Sequence, residues 1–117
     1  MSAEQADRDA EAVRKGFRIT LDMIKSEIAL TLYTSPWMCV GDGGHVIGKD
    51  MQVIDYKREL ETMTVCYIVT KSGFVVVGKT APVDPDNFNA ELGRKLAYDD
   101  AIRQLWPMFA FQHKQRP

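Results

Sequence analysis

An excess of charge of either sign is missing from this 117-residue chain, in which 15 Lys and Arg stand against 16 Asp and Glu for a net of -1. That balance removes the bulk electrostatic case for a protein of nucleic acid or of the membrane surface. Histidine and cysteine are nearly absent, with two of each. His45, His113, Cys39 and Cys66 have no metal-ligand spacing, and they are too sparse for a Ser-His-Asp or Cys-His arrangement to be read from sequence. Carboxylates are plentiful but unpatterned. The expectation is therefore a non-enzymatic protein with no metal and no cofactor. No apolar run is long enough to span a bilayer. The opening MSAEQADRDAEAVRKGF is charged and lacks the apolar centre of a secretory signal. Two reduced thiols, rather than a Cys39–Cys66 disulfide, and a cytoplasmic location are expected on that basis. Internal repeats and low-complexity tracts are also lacking.

What remains is a length suited to one domain and a hydrophobic fraction of 45%, ordinary for a globular core. Within residues 1–16, the stretch 2–15 has high helix propensity but only Val13 as a sizeable apolar group. They read as a frayed helix or arm ended by Gly16. Residues 17–117 read as the single folded domain. From Thr20, a capping residue, Leu21, Ile24 and Ile28 make an i, i+3, i+7 stripe, which predicts a core-facing helix over Thr20–Leu32. Residues 41–50 are dense in Gly and Asp and read as turns. Met51–Tyr56 is a candidate short strand, and the charged Lys57–Thr62 a turn.

Met63–Thr70 and Phe74–Thr80 are rich in β-branched and aromatic residues and read as a hairpin turning at Lys71-Ser72-Gly73. Val65, Tyr67 and Val69 point to one side; Thr64, Cys66, Ile68 and Thr70 point to the other. Both faces are apolar enough to make the hairpin central. Pro82 and Pro85 bar further strand. Asp84 or Asp86 can cap a last helix over Asn87–Trp106, limited by Pro107. The expected fold class is α+β: a small antiparallel sheet with a central hairpin, packed by two helices.

The last helix has two faces at 100° per residue. Phe88, Leu92, Leu96, Tyr98, Ile102, Leu105 and Trp106 form a broad apolar face that should cover the hairpin. Ala90, Gly93, Ala97 and Ala101 form a small-residue face. It reads either as a subunit contact in a homo-oligomer or as packing against the Leu21–Ile28 helix of the same chain. Glu91, Lys95 and Asp99 form an i, i+4, i+8 charge ladder close to the centre of the apolar face. That is an internal salt-bridge spine, an end of the face that opens into a pocket, or, as surface ladders usually are, a solvated helix face.

GGHVIGKD (Gly43–Asp50) has the spacing G-x-x-x-x-G-K of a P-loop, but Asp50 stands where Ser or Thr should hold magnesium. A carboxylate there repels phosphates, so nucleotide hydrolysis is not expected. Backbone N–H groups of the Gly-rich turn with Lys49 could still cradle an anion. A small basic-aromatic cluster, Arg14, Lys15, Phe17 and Arg18, extended by Lys114 and Arg116, is of the kind that touches nucleic acid. The net charge argues against that use.

The segment Thr64–Phe111 resembles the phage gene 49 / gene 66 family of small bacteriophage proteins. The likeness rests on the turn and strand KSGFVVVGKTA followed by DPDNFNAELGRKLAYDDAIRQLWP. Gly73-Phe74, Gly78, Pro85, Asn87-Phe88, Glu91, Gly93-Arg94-Lys95, Ala97, Ala101 and Leu105-Trp106-Pro107 fall at family-like spacing. ITLDMIKSEI is similar to the family's first helix. The Gly-rich loop through Glu61 looks like an insertion, and PMFAFQHKQRP matches the usual ending only loosely.

The resemblance implies a phage-encoded accessory protein acting in the host cytoplasm and supplies no reaction. The function expected is a non-enzymatic factor that counteracts a host process. One route is anti-defence, by sequestering a nucleotide-type immune signal. Lys49, Arg94 and Lys95 would then hold phosphate, and Trp37, Phe88 or Trp106 would stack a base. The alternatives are an inhibitor of a host protein and a nucleic-acid-binding replication factor.

Overall fold

A computed structural model describes residues 19–40, 46 and 52–115, with side chains through Gln112. Thr20 caps the first helix, α1 (Leu21–Ser26), its Oγ1 accepting from Met23 N at 3.2 Å. Ile24 is fully buried. The helix predicted to reach Leu32 stops here, and Ile28–Thr34 is instead a strand, β1. IALTLYT is built of β-branched, apolar and aromatic residues, and the neighbouring strand pairs with it in regular register over Leu30–Thr34. A three-residue stripe cannot compete with that pairing. Glu27 C=O accepts from Lys71 N at 2.8 Å, which ties the helix exit to the hairpin turn.

Between the strands, Pro36–Cys39 and Val53–Tyr56 are single turns of 3₁₀ helix, and α2 (Lys57–Thr62) is a short helix. Within the expected strand at 51–56, Val53–Tyr56 is therefore helical, and so is the expected turn at 57–62. Lys, Arg, Glu and Leu in KRELET are good helix formers, and no partner strand competes for them.

The hairpin forms as its alternation and turn chemistry require. β2 (Thr64–Thr70) and β3 (Val75–Thr80) pair from Thr64↔Thr80 to Val69↔Val75. Gly73 supplies the turn's positive φ of 94°. The order is β1-β2-β3, all antiparallel, so β2 is central and β3 is an edge. The α+β reading holds.

The last helix, α3 (Ala90–Gln115), begins and ends later than expected. Asn89 caps it: its Oδ1 accepts from Leu92 N at 3.1 Å and its C=O from Gly93 N at 2.8 Å. Asp84 instead caps a preceding 3₁₀ turn, Pro85–Asn87, accepting from Asp86 N. Helix continues through Pro107, which forfeits one backbone bond. Met108, Phe109 and Ala110 beyond it pack against the core and compensate.

The larger correction concerns which side of α3 meets the sheet. Gly93, Ala97 and Ala101, the small-residue face, lie buried on β2 and β3. Ala97 and Ala101 are thus used within the chain and unavailable as a subunit contact, while Ala90 is exposed beyond the sheet. Leu92 and Leu96, assigned to the core from periodicity, are 50% and 44% exposed. Small side chains let the helix axis sit very close, and Gly78 beneath them has no Cβ to keep it off. Ile102, Leu105 and Trp106 then close the core with Ile19, Ile24, Cys66, Ile68 and Val76. The Glu91, Lys95, Asp99 ladder is exposed, and none of the three is in an ion pair with a described residue.

Both cysteines are free, Cys66 buried and Cys39 exposed. Burial pushes the Cys66 thiol above its usual range, with a hydrogen bond to Tyr33 acting the other way. Such a thiol is a poor nucleophile at neutral pH. A thiol-reactive chromophore should therefore titrate one cysteine promptly in the native protein and two in denaturant. Prompt modification of both in native conditions would contradict the packing of Cys66.

Candidate functional site

Because α3 lies over only one side of the sheet, the other side is defined by β-strand alternation alone. The register sets three rows across it: Leu30–Val69–Val75, Leu32–Tyr67–Val77 and Thr34–Val65–Lys79. Val65 is buried at one end. The remaining two rows are wholly apolar apart from the Tyr67 hydroxyl. Leu30, Leu32, Val75 and Val77 are 55%, 52%, 57% and 42% exposed. Six apolar side chains in contiguous rows form a patch of the kind soluble monomers seldom leave uncovered. Each half-exposed Leu or Val that a partner covers is worth on the order of 1 kcal/mol.

Lys79, at the edge of the face, is its one cation. Anionic ligands therefore find little to hold them there, and an apolar protein surface fits better.

A second feature is a shallow cleft at the start of α3 with a cavity volume of about 100 Å³. Thr80, Pro82, Phe88, Leu92 and Leu96 are among the residues lining it. Small-molecule sites usually enclose about 300–1,000 Å³, so this cleft takes one side chain rather than a nucleotide.

The residues singled out for a nucleotide do not gather in it. Phe88 lines the cleft, but Trp37, Arg94, Lys95 and Trp106 do not. Trp106 is 4% exposed and belongs to the core, so it cannot stack a base. Trp37 sits in the Pro36–Cys39 turn with Lys57 Nζ 5.4 Å from its ring centre. Arg94 and Lys95 are exposed on α3. Arg94 lies close enough to Tyr33 to oppose, weakly, the rise that burial and the neighbouring Cys66 and Tyr98 impose on its phenol. Lys49, His45, the Arg14, Lys15, Phe17, Arg18 cluster, Arg116 and the side chains of His113 and Lys114 lie outside the described residues.

Sequence reasoning missed the open face for two reasons. Leu30 and Leu32 fall in the stretch where the apolar stripe predicts a helix, and Val75 and Val77 in a hairpin whose two apolar faces predict a central place in the sheet. A signal was present: both hairpin faces are apolar, yet a sheet this small with one long helix can have only one side covered by it.

Comparison with known proteins adds a family. The model of the phage protein (N4 Gp49/phage Sf6 gene 66) family matches residues 19–116, which takes in both the ITLDMIKSEI segment and the hairpin and last helix that carry the resemblance in the sequence. No curated protein and no solved structure matches the chain.

Proposed function

This chain belongs to the phage protein (N4 Gp49/phage Sf6 gene 66) family, and from that premise we propose that it is a non-enzymatic accessory protein that caps a host protein. Its place of action is the host cytoplasm and its effect is to blunt a host process, bacterial defence being the class of target. The observation that carries this reading is the open apolar face built on Leu30, Leu32, Tyr67, Val69, Val75 and Val77. The partner it fits presents an apolar surface of its own, such as one side of an amphipathic helix laid across the strands.

Sequestration of a nucleotide-type signal is the other use to which the sequence points. Its described residues, Trp37, Phe88, Arg94, Lys95 and Trp106, do not gather in the cleft at Phe88, which is too small, so the protein-capping reading has the better support.

The test uses a photo-crosslinking residue at position 77 to identify the partner, followed by titration of the two purified proteins. A Val75→Glu, Val77→Glu double variant should bind at least tenfold more weakly, about 1.4 kcal/mol, since each buried carboxylate would be unpaired. Leu92→Glu should bind like the unmodified protein. Equal binding by the double variant would overturn the assignment of the face, and selective loss in Leu92→Glu would move the contact to the cleft. A panel of cyclic and linear nucleotides should leave the melting temperature unchanged. A rise with one class, insensitive to moderate salt, would favour the sequestration reading instead.

A further inference from the structure

The two edges of the sheet are treated differently. On β3, Asp100 Oδ2 accepts from Lys79 N at 3.0 Å and Gln104 Nε2 donates to Val77 C=O at 2.6 Å. Two side chains of α3 therefore occupy backbone groups that would otherwise pair with a foreign strand. This is the guarding expected of a managed edge.

Among the described residues β1 has no such guard. Antiparallel alternation identifies its outward groups. Lys79 N–H and Val77 C=O face away from β2, so Val76, Gly78 and Thr80 bond inward to Ile68, Cys66 and Thr64. Val65, Tyr67 and Val69 consequently bond to Thr34, Leu32 and Leu30. That leaves the N–H and C=O of Thr31 and Tyr33 pointing out of the sheet. Among the described residues nothing hydrogen-bonds them. Ile28–Thr34 contains no Lys, Pro or other charged or breaking residue. A bulge interrupts the register only between Ile28 and Leu30, so Leu30–Thr34 is regular. α3 packs over β3 and β2 and makes little contact with β1, so among the described residues nothing on that side blocks an approaching strand.

We propose that β1 pairs antiparallel with β1 of a second copy about a twofold axis through Leu32. In that register Thr31 faces the partner copy's Tyr33 and exchanges both backbone bonds with it, and Tyr33 faces the partner copy's Thr31 likewise. All four outward groups of each chain are satisfied. Leu32 meets its own equivalent on the open face, at the short spacing of a non-hydrogen-bonded pair. No charge is brought against its like, as an isologous interface requires. The product is a six-stranded sheet bounded at both ends by the guarded β3, so assembly stops at two. It also joins the two open faces into one platform. The pairing does not depend on what that platform binds.

The 117-residue chain should sediment with twice its mass of 13.2 kDa. Thr31→Pro removes only an outward N–H, which an edge strand tolerates. Leu32→Lys sets two ammonium groups against each other. Both variants should be monomers with unchanged far-ultraviolet circular dichroism. Val77→Lys, far from the axis, should remain dimeric. Should the two β1 variants misfold, a Cys39→Ser, Leu32→Cys protein gives a second readout. Its cysteines should join under mild oxidation into a reducible dimer, because the non-hydrogen-bonded pair has disulfide spacing. A wild-type monomer at every concentration, a dimer indifferent to Thr31→Pro, or a dimer abolished by Val77→Lys would each overturn the edge pairing. The last would mean that the open faces stack on each other instead.

Discussion

Replacing Gly78 with alanine is expected to cost at least about 3 kcal/mol, out of a total stability that for a domain of this size is roughly 5–15 kcal/mol. A Cβ at this position would lie 2.0 Å from Ala97 O and 2.5 Å from Ala101 N. Both are backbone atoms of α3, and neither can rotate away. The helix would have to lift from β3, and the contacts of Leu105 and Ile102 beneath it would open. The requirement is one of space, since Gly73 is the glycine with positive φ among the described residues. Gly93→Ala is the natural comparison. Its Cβ would meet Thr64 Oγ1 at 2.6 Å, a side-chain hydroxyl that another rotamer relieves. A cost near 1 kcal/mol is expected there. Thermal melts should separate the two clearly: a fall of about 10 °C or more for Gly78→Ala and a few degrees for Gly93→Ala. Equal small shifts would mean that the helix does not sit this close to the sheet.

Leu105→Ala is expected to destabilise the protein by about 3–4 kcal/mol, because Leu105 is fully buried and its removal leaves a cavity that its neighbours cannot collapse into. Leu96→Ala, on the same helix, is expected to cost less than about 1 kcal/mol, since the side chain is 44% exposed. Urea titrations of the two variants read these values directly from their midpoints. The pair is informative because helical periodicity alone puts both leucines on one apolar face. If the two variants lose similar stability, the orientation of α3 on the sheet is wrong and so is the open face derived from it.

The hairpin was legible because its information is local. Alternation over seven residues, a Gly in the turn and prolines after it each act within a few positions of themselves, and β2, β3 and Gly73 form as those rules require. β1 was not. Leu21, Ile24 and Ile28 satisfy a helical period, while Ile28, Leu30 and Leu32 satisfy a strand period, and both patterns share Ile28. Only the presence of β2, some 35 residues later in the chain, decides between them by supplying hydrogen bonds to the extended form. α3 misled for a different reason. Hydrophobicity ranks Leu92 and Leu96 above Ala97 and Ala101, but closeness of approach selects the smaller side chains when the surface opposite is a glycine in a strand. The candidate site inherits both effects. Leu30 and Leu32 depend on β1 being a strand, and Val75 and Val77 stay bare because α3 covers the opposite side.

By itself, then, the sequence determined the α+β class, the hairpin and its turn, a long last helix, and the phage family to which these belong. Those follow from local propensity and from residue spacing along one chain. Tertiary structure alone decided that α3 meets the sheet through Gly93, Ala97 and Ala101, that β3 is guarded by Asp100 and Gln104, and that one apolar face and the β1 edge remain open. Those are matters of how closely two surfaces can approach and of which backbone groups point outward, and neither is set until distant segments have met.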